Sequence, residues 1–222
     1  MTAKKTASKQ KISASAILDY YMNRVLEHNA IPESVYLFCK EMEITEKEFY
    51  QFFPSISALE KEVWNQFFDH TMSLLQKDEA FHGYENREKL LSFFYTFFEL
   101  LMLNRSYVLR VTHEGKGGFK DLEQLKGLRS RVKEFAHGLI EEANEDKQLK
   151  VSQRSPQIFS EGAWVQLLLI MKFWIEDESP GFEKTDVFIE KSVNTVFDLF
   201  ESTPLDKVLD LGKFLWKERM NR

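Results

Sequence analysis

The chain has 222 residues, 43% of them hydrophobic and 29% charged, and it carries a formal net charge of −5. This length can bury one sizeable core, or a small domain beside a larger one, and the composition excludes a disordered or fibrous protein. A single cysteine, Cys39, excludes an internal disulfide framework. Because there is no signal peptide and no uncharged stretch near the roughly 20 residues of a membrane-spanning helix, we expect a soluble cytoplasmic protein.

The chain opens with a short basic segment and continues as a series of helices. Residues 1–11 hold four lysines and no acid, which predicts a flexible basic arm. From Ile12 onward the apolar residues follow helical spacing, and all five prolines fall between the periodic segments, so we predict an all-α protein without a sheet. The predicted helices are Ile12–His28, Pro32–Met42, Thr45–Phe52, Ser55–Phe81, Arg87–Leu103, Asn104–His113, Phe119–Asp146, Pro156–Asp177, Phe182–Phe200 and Pro204–Met220.

The segment from Ile17 to Trp64 has the pattern of a three-helix, helix-turn-helix unit that runs into a long fourth helix. The residues that carry this pattern are Ile17, Leu18, Ser34, Val35, Ile44, Thr45, Phe49, Tyr50, Phe53, Pro54, Ser55 and Leu59. In type and spacing they resemble the DNA-binding domain of the TetR family of repressors. The resemblance implies a TetR-like fold, in which a helix-turn-helix head precedes an antiparallel helical effector and dimerisation domain.

The charge of this head departs from the family pattern. Asn29 and Glu43 stand where the family has glycines, and Glu46-Lys47-Glu48 replaces a Lys-Gly-Thr-like run in the recognition helix. Residues 12–60 contain three bases and eight acids, and acids repel the phosphates of DNA. A fold retained for packing, with no operator, therefore remains an open alternative. The candidate DNA-contacting residues are Lys9, Lys11, Ser34, Lys40, Thr45, Lys47 and Tyr50.

The second half of the chain is rich in phenylalanine. Residues 90–103 and 163–175 are apolar around nearly the whole helical circumference, so other helices must surround them. These side chains could line a cavity for a small apolar ligand or a lipid, with Tyr95 and other polar residues at its edge, or simply fill a packed core. The candidate pocket residues are Phe93, Phe94, Phe97, Phe98, Met102, Arg110, His113, Phe135, Trp164, Leu168 and Met171.

Two further surfaces are expected from the same patterns. In the resembled family the last two long helices form a four-helix interface, which implies a homodimer through helices of about 156–177 and 182–200. The final segment, 204–222, is amphipathic and either docks on its own domain or contacts a membrane surface. The predicted domains are thus the arm 1–11, the DNA-binding-like head 12–54, the ligand-binding and dimerisation domain 55–203, and the C-terminal amphipathic helix 204–222.

The resemblance implies a ligand-responsive transcriptional regulator that binds operator DNA as a dimer. An alternative is a lipid- or isoprenoid-binding protein that no longer binds DNA, since the layout is similar to that of the TetR-fold lipid-binding proteins of ubiquinone biosynthesis. The sequence contains no catalytic motif, no metal-ligand spacing and no phosphate-binding loop. We therefore expect no enzymatic activity, no cofactor and no metal.

Overall fold

A computed structural model describes residues 12–113, 123–145 and 155–202. Within these ranges the regular elements are helices and there is no strand, which confirms the predicted all-α class. The α-helices are α1 (Ala14–His28), α2 (Val35–Glu41), α3 (Glu46–Phe49), α4 (Ile56–Lys77), α5 (Asn86–Leu103), α6 (Arg105–His113), α7 (Lys126–Glu145), α8 (Pro156–Glu176) and α9 (Glu183–Ser202). Short 3₁₀ helices occupy Glu79–Gly83, Glu123–Leu125 and Pro180–Phe182.

Polar side chains define where several of the helices begin. The hydroxyl of Ser13 caps α1, that of Ser34 caps α2 and that of Ser155 caps α8, each by accepting a hydrogen bond from a first-turn backbone N–H. Pro156 follows as the first residue of α8, where the missing N–H of proline does no harm. These local signals explain why most helix starts agree with the apolar periodicity of the sequence.

Several helices are shorter than the sequence pattern predicts, among them α2, which begins at Val35 and not at Pro32. The recognition helix α3 is regular only over Glu46–Phe49, and the backbone continues in turns through Phe52. Helix α4 ends at Lys77 and not at Phe81, because Asp78 accepts a hydrogen bond from the Ala80 N–H and starts a separate 3₁₀ helix. The predicted helix at 204–220 and the basic arm lie outside the described residues.

The described residues form two compact units. One contains the residues up to Trp64 together with those between Asn104 and Gln124, and the other contains the rest. Helix α4 contributes residues to both units, and the segment of α6 joins the first. The domain boundary expected after residue 54 remains a prediction.

The core of the first unit is a cluster of aromatic rings. The fully buried ring of Phe38 lies 5.7 Å from that of Phe49 and 6.3 Å from that of Tyr21, centroid to centroid. Tyr21 also meets Tyr107 of α6 edge-on at 6.2 Å. Trp64 completes the unit by donating its indole N–H to the side-chain oxygen of Gln124 at 2.9 Å. The corner aromatics therefore hold α1, α2, α3 and α6 in one core.

The second unit is held together by α5, α7, α8 and α9. Phe93 and Phe97 of α5 stack at 5.6 Å, and Phe98 packs edge-on against Trp174 of α8 at 6.0 Å. Helix α8 is long and apolar enough, with a mean hydropathy of 1.4, to pass a length-and-composition test for a membrane span. Half of that apolar window is buried inside the unit against α7 and α9, as in the core helix of a folded domain.

Candidate functional site

The turn between α2 and α3 contains a residue in the left-handed backbone conformation, at a position where the resembled family has glycine. Glu43 has a φ of 57°, in the left-handed region, and Asn29 at the end of α1 has a φ of 49°. The Ile44 N–H bonds to the Cys39 carbonyl at 3.0 Å and closes the turn. Both residues stand where the resembled family has glycine, so the geometry is kept although glycine is absent. Asn tolerates this conformation better than Glu does.

A capping box fixes the start of the recognition helix. The Glu48 N–H donates to the Thr45 hydroxyl oxygen at 3.2 Å, while the Thr45 N–H and hydroxyl donate to Glu48 Oε2 at 2.8 and 2.7 Å. The Glu48 carboxylate therefore serves the cap and is half-buried, whereas Glu46 on the other side of Lys47 is exposed. Sequence reasoning counted both acids as opposing DNA equally, and only the pairing within the helix distinguishes them.

An ion pair joins the buried Arg24 to the exposed Glu41 and engages one base and one acid of the head. The Arg24 guanidinium, 9% exposed, donates Nε and one terminal nitrogen to the two oxygens of Glu41 and the other to the Ala30 carbonyl at 3.2 Å. The hydrogen bond from Arg24 holds the pKa of Glu41 below its usual value. Arg24 is thereby committed to structure, which leaves Lys40 and Lys47 as the exposed bases among the described head residues up to Glu60.

The candidate DNA-contacting residues lie on the surface of α2, α3 and the following turn. Lys40, Thr45 and Lys47 are exposed, and the Tyr50 side chain is 52% exposed. Ser34 is half-buried and its hydroxyl accepts the Leu37 N–H at 3.3 Å, so its first role is as a helix cap. Lys9 and Lys11 lie outside the described residues.

Sequence reasoning missed the apolar character of this surface. Tyr36 on α2 is 61% exposed, and Phe52, which follows α3, is 39% exposed. Aromatic side chains that could have packed inward are presented to solvent here, beside the exposed Tyr50. No local signal distinguishes the two aromatic residues of this turn, because Tyr36 lies in the same first turn of α2 as Phe38, which is fully buried.

The candidate pocket residues are mostly packed against one another. The six that are buried are Phe93, Phe94, Phe97, Phe98, Trp164 and Met171. Phe135 and Leu168 are half-buried, and Met102 is 40% exposed. Arg110 belongs to the first unit, where its Nε donates to the Asn29 carbonyl at 2.8 Å, and His113 is the last residue of α6. Of this set, Phe135 lines a cleft.

That cleft lies within the second unit and has a volume of about 730 Å³, within the range of small-molecule sites. It is formed by α4, the 3₁₀ helix after it, α5 and α7. Its apolar lining residues are Phe68, Met72, Phe81, Phe135 and Leu139. Its polar lining residues are Gln76, His82, Lys89, Arg131, Glu134 and Glu142. Sequence analysis did not find this site, because its residues come from four elements that no local pattern connects.

A second concave surface runs along α8 and α9 and has a volume of about 660 Å³. Val165 and Leu169, one turn apart on α8, are 52% and 55% exposed. Phe188 of α9 lines the same groove and stacks on Phe173 at 4.7 Å. At the groove, Gln166 is 4% exposed and donates its amide N–H to Ser192 at 2.9 Å, while its amide oxygen is buried without a donor.

The comparisons with known proteins agree with this architecture. The family model of a tetracycline repressor-like C-terminal domain matches residues 89–215, which is more than half of the chain. No curated protein matches the chain. The matched region includes α5 through α9 and thus both the cleft-forming helices α5 and α7 and the α8–α9 groove.

Proposed function

This chain belongs to the tetracycline repressor-like (TetR) family of regulators, and on that premise we propose that it binds operator DNA as a homodimer and responds to a small apolar ligand. The head would contact DNA, the α8–α9 groove would join two copies, and the cleft of the second unit would take the ligand. As in other regulators of this kind, action in the cytoplasm is expected. The observation that carries the proposal is a head with three helices, α1 to α3, and a capped recognition helix that precedes a TetR-type C-terminal domain in the chain.

The head supports DNA binding through its shape more than through its charge. The capped recognition helix presents Thr45, Lys47 and Tyr50 to solvent, where hydroxyl and ammonium groups can reach phosphates and base edges. The ion pair with Arg24 offsets the charge of Glu41, whereas the capping box holds the Glu48 carboxylate at the N–H and hydroxyl of Thr45 without removing its charge. Affinity that depends on few cations should be modest and should fall with a shallow slope as salt rises, because that slope scales with the number of phosphate contacts.

The DNA-binding proposal is tested with the duplex upstream of the protein's own gene. Fluorescence anisotropy should show binding that weakens as salt rises, and Lys47→Ala should reduce the slope of log affinity against log salt by about 1 per lysine contact. Lys77→Ala provides the control, since Lys77 is the last residue of α4 and belongs to the second unit. An intact dimer that binds no duplex at low salt would overturn the proposal.

The groove of α8 and α9 supports association with a second copy. Val165 and Leu169 expose a continuous apolar surface on a helix whose other faces are buried, and such surfaces mark interfaces. Phe188 of α9 lines the same groove, so the apolar surface includes side chains from both helices.

The dimer is tested by light scattering of the purified protein. Leu169→Glu places a charge in the groove and should yield a monomer at micromolar concentration. Lys172→Glu is the matched control, because Lys172 is exposed on the same helix and does not line the groove. Equal masses for the wild type and both variants would rule out this face as the interface.

A second candidate is a lipid-binding protein that has lost its operator. It is favoured by one observation, which is that Glu33, Glu43 and Glu46 are exposed on the same head as the two lysines. The anisotropy experiment distinguishes the candidates, since a lipid carrier would show no salt-dependent DNA binding. Extraction of the purified protein followed by mass spectrometry would then show whether a lipid accompanies it.

A further inference from the structure

The cleft of the second unit combines an apolar wall with an ion pair of unequal burial. Phe68, Phe81 and Leu139 are buried, at 8%, 6% and 4% exposure, and supply the apolar side. The Lys89 ammonium lies 2.9 and 3.0 Å from the two oxygens of Glu142. The Lys89 side chain is 12% exposed, while that of Glu142 is 61% exposed. The cation is therefore built into the wall, and its anion lies on the surface.

This difference in burial determines which side chain of the ion pair a ligand can replace. An exposed carboxylate is well solvated without its partner, so an ion pair of this kind contributes little to stability and can open at small cost. A largely buried ammonium group cannot be solvated by water in the same way, so it requires an anion nearby. If Glu142 turns outward, the position it leaves at the Lys89 ammonium fits another carboxylate of the same geometry, next to the apolar wall.

In a second ion pair the cation again lines the cleft, while its anion does not. Arg131 lines the cleft and donates to Asp69 at 3.1 Å, and both side chains are partly exposed, at 39% and 45%. Glu134 also lines the cleft but is exposed to solvent. The fixed charge closest to the buried apolar residues is therefore positive, because of the burial of Lys89.

We propose that this cleft binds an amphipathic carboxylate, with the carboxyl group replacing Glu142 at Lys89 and the hydrocarbon chain against Phe68, Phe81 and Leu139. A volume of about 730 Å³ accommodates a chain of roughly ten carbons. This inference rests on the proposed function, because it names the chemical class of the ligand that the regulator would respond to. Phe68, Met72 and Gln76 lie on successive turns of α4, so the ligand would contact the helix that also contributes Leu59 and Trp64 to the first unit.

The test is isothermal titration calorimetry of the full chain, without DNA, using decanoate and 1-decanol as probes. Decanoate should bind at least about tenfold more tightly than decanol, as expected for a charge-assisted hydrogen bond. Lys89→Met should abolish that difference while leaving decanol binding unchanged. Glu142→Gln removes the competing anion and keeps its size, so it should tighten decanoate binding several-fold. Lys133→Met is the control for Lys89→Met, since Lys133 lies on α7, as Glu142 does, and pairs with Glu161 outside the cleft.

The outcomes separate this inference from the proposed function. Equal affinity for decanoate and decanol, binding of neither probe, or weaker decanoate binding in Glu142→Gln would each overturn the inference. Decanoate binding with the expected dependence on Lys89 and Glu142 supports it, whether or not the protein binds its upstream duplex. Failure of DNA binding alone would refute the operator proposal and leave the carboxylate site in place. Failure of decanoate binding in a protein that binds the duplex would refute only the site.

Discussion

Replacing Asp177 by asparagine tests how the turn between α8 and α9 is stabilised. Asp177 is 6% exposed and accepts four hydrogen bonds. Its Oδ1 accepts from the N–H and hydroxyl of Ser179 at 2.9 and 2.7 Å, and its Oδ2 accepts from the N–H and hydroxyl of Thr185 at 3.0 and 2.7 Å. Asn has the same shape, but it has one acceptor oxygen in place of two and carries no charge.

The size of the effect follows from the pKa of this carboxyl group. Burial alone would raise the pKa of Asp177, but the hydrogen bonds from Ser179 and Thr185 outweigh it and lower the pKa from 3.8 to about 2. Because the folded-state pKa is depressed, the stabilisation is present at neutral pH and is lost as the pH falls from about 4 toward 2. The linkage relation gives about 2 kcal/mol at pH 7 and about 1 kcal/mol at pH 3.

The measurement is urea unfolding of the wild type and Asp177→Asn at pH 7 and pH 3, at one fixed protein concentration because dimerisation affects stability. The variant should be less stable by about 2 kcal/mol at pH 7, and the gap should shrink to about half at pH 3. Asp69→Asn is the control, because the exposed Asp69 pairs with Arg131 on the surface and should lose less than about 1 kcal/mol. A gap that is absent at pH 7, or that stays constant with pH, would refute the linkage argument.

Three substitutions test other features by the same unfolding assay. Glu43→Gly removes the strain of a left-handed backbone conformation, which costs about 1–2 kcal/mol, but adds the flexibility of glycine to the unfolded chain, which costs about 0.5–1 kcal/mol. The free energy of unfolding should therefore rise by roughly 0.5–1 kcal/mol. Glu43→Ala should bring no such gain. Phe38→Ala removes a fully buried ring that contacts three others and should cost about 3–5 kcal/mol; a loss below 1 kcal/mol would contradict the aromatic core of the head. Gly181→Ala should cost about 1 kcal/mol through its φ of 64°, since open space around the residue excludes a clash.

The fold was largely predictable because its signals are local. Apolar spacing, prolines and cap residues such as Ser34 and Thr45 mark most helix boundaries within a few residues. The early end of α4 at Lys77 was not predicted, because Phe81 continues the apolar period while Asp78 caps a new turn. Periodicity describes which face is apolar, but a single side chain decides where the helix stops.

The candidate sites were harder to predict because they depend on long-range pairing. A count of charges treats Glu41 and Glu46 alike, although only Glu41 is held by Arg24 from another helix. In the same way, a run of phenylalanines indicates an apolar interior without showing which rings pack against one another. Phe93 and Phe97 stack together in the core, and the open cleft lies beside Phe135 instead.

The central proposal is that two copies of this helix-turn-helix head act together on one operator. The most direct measurement is the mass of the complex between the purified protein and its upstream duplex, by native mass spectrometry at low ionic strength. The proposal predicts two chains on one duplex, or an even number of chains, consistent with heads spaced about 34–36 Å apart. A duplex that carries single chains, or that remains unbound while the protein is dimeric, would contradict it.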